Sequence, residues 1–171
     1  ANLLRATGTT SSSALNYVSG SSKAKPGTYA VSITQLATQS SNTATIAQTG
    51  ATGAEEVLSF AGTAFGTNGV ALVVAAGTTQ EQVVSLINSD TRLRDLVEAS
   101  VVDGKLSITS KRYGVATDFT VTSSAAATET STGIGTTAVH VAGVDVQGTI
   151  NGEAATGSGR FLLGNVGNAN T

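Results

Sequence analysis

His140 is the only histidine in the chain, and cysteine is absent. Acid–base chemistry would therefore run through one imidazole and the carboxylates. A histidine base needs a partner that fixes its tautomer and orientation. In Val139-His140-Val141 the period of a strand sets the imidazole on the face opposite its valine neighbours. That predicts a solvent-facing side chain, and no catalytic residue is assigned. With one histidine and no thiolate, a metal would be left to carboxylates alone. No metal ligand, cofactor or cofactor-binding residue is assigned.

The carboxylates are grouped only along the chain. Glu55-Glu56 and the trio Asp90, Asp95 and Glu98 are expected to be solvated rather than paired for acid–base work. Asp145 to Glu153 has the length of part of a calcium loop, but Gln147, Thr149 and Ile150 stand where oxygen ligands and glycine are required. Gly152 and Gly157 have the spacing of a phosphate loop, but Ser158 replaces the lysine that must follow. With aromatics at 4 %, a sugar-stacking platform is weakly supported, Tyr17, Tyr29 and Tyr113 being its candidates. No enzyme is expected.

Composition agrees. In 171 residues, charged side chains make up 12 %, about half the usual share. Net charge is −2, and the one adjacent basic pair is Lys111-Arg112, so no basic stripe exists to neutralise phosphates and no nucleic acid is expected. No apolar run is long enough to span a bilayer. Aromatics are only 4 %, so the core must be largely aliphatic. A Cys-free chain rich in Ser, Thr, Gly and Ala fits a secreted bacterial surface or appendage protein without disulfides. The chain starts at Ala1 without a cleavable signal, and a fragment of a longer protein is expected.

The elements that would position these residues are mostly short strands. Residues 1–22 read as a polar lead-in with one short strand. After the Pro26-Gly27 turn, Tyr29, Val31 and Ile33 alternate with small or polar residues, predicting a half-buried strand from Thr28 to Leu36. Residues 37–55 are polar, with a strand placed at Ala44 to Ala47. Val57–Phe60 and Val70–Ala75 follow as strands with a turn at Gly66, Asn68 and Gly69. Thr78 or Thr79, with Glu81 or Gln82 three residues on, predicts a capping box opening a helix whose apolar face is Val83, Leu86 and Ile87, with Val84 beside it. A short helical turn is placed at Thr91 to Asp95. Asp103-Gly104 and Asn151-Gly152 each predict a type I′ hairpin turn. Phe119 and Val121 predict a strand, residues 123–137 a low-complexity linker or loop, and strands resume at 138–142, 144–150 and 161–163. The fold class is α+β, mainly β, with short antiparallel strands, hairpins and one or two short helices. Two small lobes are expected: residues 1–48 with 137–171, and an inserted lobe over 49–136.

Three segments resemble the flagellar filament cap family, hook-associated protein 2. The first is Pro26 to Ala37. The second runs from Gly77 to Val121 and carries the Ile87-Asn88 pair of the "IN" motif that flagellins share, then Asp103-Gly104-Lys105-Leu106. The third is Gly143 to Gly164, with Gly148-Thr149-Ile150-Asn151-Gly152 at its centre. The third separates the cap from flagellin itself, of which a surface-exposed domain is the alternative; a bacterial adhesin module is another. The resemblance implies an extracellular structural component at the distal tip of the bacterial flagellum. It also implies flagellin subunits as assembly partners, self-association into an oligomeric cap, and contact with host mucin. The terminal helices of the family are absent, so the chain is expected to correspond to its β-rich head.

Overall fold

Local signals account for most of the regular elements in the computed structural model, which describes residues 7–20, 24–137 and 139–165. The strands are β1 (Val31–Gln35), β2 (Gln39–Thr43), β3 (Glu56–Gly62) and β4 (Gly66–Val74). The helix α1 (Gln80–Ser89) follows, then β5 (Val97–Val102), β6 (Lys105–Tyr113), β7 (Thr120–Ser123) and β8 (His140–Val141). The chain closes with β9 (Gln147–Ile150), β10 (Glu153–Ala154), β11 (Thr156–Ser158) and β12 (Phe161–Leu163). All pairing is antiparallel, in the orders β5-β6-β2-β8, β4-β3-β7, β1-β9-β10 and β11-β12. The fold is α+β and mainly β, as the patterning predicts.

Both hairpin turns form where Asx-Gly stands. Asp103 and Gly104 have φ of 51° and 75°, and Asn151 and Gly152 have 54° and 85°. Positive φ at both central residues is what matches the turn to the twist of its strands. At α1 the box is made by Thr79 and Gln82. The Gln82 N–H donates to Thr79 Oγ1 at 3.4 Å, and the Thr79 N–H donates to Gln82 Oε1 at 2.9 Å. Val83 and Ile87, four apart on one face, are fully buried. Leu86 lies off that face and is exposed, contrary to the expected apolar stripe. The helical turn after α1 is present, with Arg94 N–H donating to the Asp90 carbonyl at 2.9 Å.

One apolar core joins the two larger sheets to α1. Leu58, Phe60, Leu72 and Val74 meet Val83, Ile87, Leu93, Val97, Leu106, Ile108, Phe119 and Val121. The Phe60, Phe65 and Phe119 rings pack in series at centroid distances of 5.6 and 5.7 Å. Among the described residues, the region of the smaller sheets, β1 and β9–β12, buries two apolar side chains, Ile150 of β9 and Val146 just before it.

Three expectations shift. The polar stretch forms its strand at Gln39–Thr43, not at 44–47, because its inward residues Ser40 and Asn42 are buried through hydrogen bonds rather than apolar contact. The β3–β4 connection is a 3-10 turn at Thr63–Phe65, and Gly66, Asn68 and Gly69 fall inside β4. Residues 124–137 form no regular element but are no solvated linker: residues 131–135 are buried, with Ile134 in the core. Described residues 7–20 contain a turn and no strand; Ala1–Ala6 and Ser21–Lys23 lie outside the described residues, as does Ala138.

Candidate functional site

His140 does not face solvent. In β8 it pairs opposite Asn42 of β2, whose side chain is buried, so the imidazole lies on the inner face and Val139 and Val141 lie outside. An edge strand takes its phase from its partner, which three residues of sequence do not reveal. The imidazole Nε2 donates to Asp118 Oδ1 at 2.8 Å, and the Gly143 N–H reaches the same oxygen at 3.4 Å. Burial pushes the Asp118 carboxyl up, but the hydrogen bond and charge of His140, with the Gly143 N–H, outweigh it and hold the group below its ordinary value. The fully buried Ser40 hydroxyl donates to the Phe119 carbonyl at 3.4 Å and accepts from the Phe119 N–H at 3.3 Å. The group ties an edge strand to the core.

Glu56 overturns the expectation of a solvated acidic pair. Glu55 is exposed, but Glu56 is 2 % exposed, in phase with inward-facing Leu58 and Phe60 on β3. Its carboxylate accepts from Ser123 Oγ at 2.6 Å, Thr132 N at 2.7 Å and Thr132 Oγ1 at 3.0 Å. It therefore draws the 131–135 loop onto the sheet. The phase of β3 is the sequence signal that could have found it.

The remaining acids do not converge. Arg92 donates two hydrogen bonds to Asp90 and lowers its carboxyl, while Asp95 and Glu98 are exposed. Among the described residues no three His, Cys, Asp or Glu side chains form a metal-sized group. The tyrosines make no shared platform: Tyr29 Oη donates to the Lys25 carbonyl at 2.6 Å, and the Tyr113 ring lies 4.8 Å under the Arg160 guanidinium.

Two asparagines do something sequence spacing did not disclose. Asn88 Oδ1 accepts from the Ala99 N–H at 2.8 Å, and Nδ2 donates to the Ala99 carbonyl at 2.9 Å. One side-chain amide thus occupies the free edge of β5 as a neighbouring strand would. Asn42 does the same for β7, accepting from Val121 N–H and donating to the Phe119 carbonyl, both at 3.0 Å. The Ile-Asn pair at the end of α1 is a core plug followed by an edge block.

Asp145, the first residue of the rejected calcium loop, is a seam residue. Its Oδ1 accepts from Gly159 N–H at 2.7 Å and Val115 N–H at 3.2 Å, joining the small sheets to the end of β6. A side chain at Gly114 would collide with Asp145 and with Gly159 backbone, and one at Gly157 would collide with the Val146 carbonyl. These glycines are there for close main-chain approach, not to cradle a phosphate.

No family model and no curated protein matches the sequence. Solved structures match. The chain superposes on the D2–D3 domains of the flagellar cap protein FliD from Escherichia coli with a TM-score of 0.60 and 19 % identity, covering 82 % of this chain and 77 % of that one. It has the D2–D3 fold of the flagellar cap protein. FliD (HAP2) from Pseudomonas aeruginosa PAO1 gives 0.58 and 16 %, covering 85 % and 73 %. The D1–D2–D3 structure from E. coli gives 0.58 and 20 %, covering 80 % of this chain but 44 % of that one, so the chain spans less than half of the three-domain protein. The cap-protein fold is the one implied by the three segments, and these neighbours are a structural cap protein rather than an enzyme family. Among the described residues no helix is long and apolar enough to cross a membrane.

Proposed function

We propose that this chain is the head region of a flagellar filament cap, an extracellular structural module at the distal filament tip that promotes flagellin assembly without catalysis. The observation that carries the proposal is the D2–D3 fold, retained over about four fifths of the chain at 19 % identity. The side chains best placed for chemistry support it: Asp118 with His140, Glu56, Asn42, Asn88 and Asp145 all join one element to another. In this proposal the chain divides into residues 1–48 with 137–171 and an inserted stretch 49–136, with β2 and β8 of the first completing the β5-β6 sheet of the second.

Immunogold electron microscopy of native filaments, with antibody raised to this chain, tests the proposal. Gold at one distal tip per filament is the expected result. Gold along the shaft would replace the cap with a flagellin surface domain, and gold elsewhere on the cell would replace it with an adhesin.

A further inference from the structure

β8 is the shortest strand of the four-stranded sheet and lies at its edge. Its two residues pair with Ser41 and Asn42 of β2, and just before them the Val139 carbonyl accepts from the Thr43 N–H at 3.1 Å. Val139 and Val141 are exposed, so among the described residues β8 adds no apolar side chain to the core. Its one inward side chain is His140, which ends on Asp118 at 2.8 Å, and the Gly143 N–H just beyond the strand reaches the same oxygen. Beyond a few ladder bonds, β8 is therefore held by a single group that titrates. The edges of β5 and β7 are instead tied by the amides of Asn88 and Asn42, which do not.

We infer that β8 is an acid-released latch over the edge of β2, closed while Asp118 is ionised and opened when that carboxyl takes a proton. An imidazole donates from Nε2 whether neutral or charged, so the contact survives titration of His140 itself. Once Asp118 is protonated, an imidazolium only 23 % exposed is left without its counter-charge. No other charge replaces it. From β2 the pair meets Ser40 and Asn42, neither of which titrates. Asp145 is turned onto the Val115 and Gly159 N–H groups, and Arg112 at the end of β6 is exposed. His140 is the one group that acts on Asp118 through its charge. Because the folded carboxyl is depressed, the latch is intact above the ordinary carboxylate range of about pH 4 and is lost as pH falls through the lower folded value. The inference does not depend on the cap assignment, since the latch answers to the surrounding medium alone.

Amide exchange followed by NMR from neutral pH to about pH 3, with intrinsic rates divided out, tests the latch. Two adjacent amides report different edges of β2. Thr43 donates to Val139 beside β8, and Ala44 donates to the Leu106 carbonyl on the β6 side. Protection of Thr43 is expected to fall several-fold in acid while that of Ala44 holds. In Asp118→Asn the carboxamide oxygen accepts from the same donors at every pH, so the acid step at Thr43 is expected to vanish. His140→Gln, which removes the charge instead, is expected to shrink it. Ala44 shows in each variant that the sheet is folded. A Thr43 protection flat with pH, a joint loss at Thr43 and Ala44, or a full acid step in either variant would overturn the inference.

Discussion

The region carrying β2–β8 and α1 and the region carrying β1 with β9–β12 are both antiparallel, yet they are held by different forces. The first buries the Phe60–Phe65–Phe119 series and a shell of Leu, Ile and Val. Among the described residues, the second buries only Val146 and Ile150 of its apolar side chains, and relies on a type I′ turn and on main chain lying against main chain at glycine. Three of the four phenylalanines form that series, whereas Phe161 and Tyr17 are exposed. The difference teaches that substitutions should act by volume in one region and by backbone clearance in the other.

The largest expected effect comes from breaking the core. Phe60→Ala removes the ring at one end of the series and should destabilise the chain by about 3–5 kcal/mol, read as a drop in the urea midpoint. A smaller loss would mean that the aromatic series is not the keystone of that region. Gly157→Ala should cost about 1–3 kcal/mol through the forced shift of the Val146 carbonyl. Hydrogen exchange should show Asn151, whose N–H donates to Ala30, losing protection while amides of β5 and β6 keep theirs. Equal loss in both regions would dissolve the distinction. The smallest effect is electrostatic. The Asp118 carboxyl is depressed on folding, so its contribution is present above its unfolded value, near pH 4, and is lost as pH falls through the lower folded value. Asp118→Asn should flatten the fall in urea midpoint below about pH 4; an unchanged slope would show that other carboxylates set it.

What was legible in the sequence was what is decided locally. Thr79 with Gln82, Asp103-Gly104 and Asn151-Gly152 act within a few residues, and each forms as read. The segments around Val57, Val97, Leu106 and Val121 show their burial by apolar alternation. What escaped is what long-range polar pairing decides. β2 has no apolar period because Ser40 and Asn42 are satisfied by residues some 80 positions away. Glu56 reads as surface until Thr132 is brought beside it from another part of the chain. His140 takes its facing from β2, a strand that the apolar pattern does not reveal. The edge-blocking role of Asn88 needs Ala99 to lie beside the end of α1, whereas the Ile87-Asn88 pair is visible as a motif without showing why.

The seam at Gly114, Gly143 and Gly157 has a mechanical consequence. Cβ positions at these residues would fall against backbone atoms of Gly159, Thr38, Ser40 and Val146, so no compressible side chain separates the facing segments. A load applied to β9–β12 would pass into the end of β6 through closely approaching main chain, held from opening by the Asp145 hydrogen bonds. Such a joint yields little to shear and transmits displacement as a weld does.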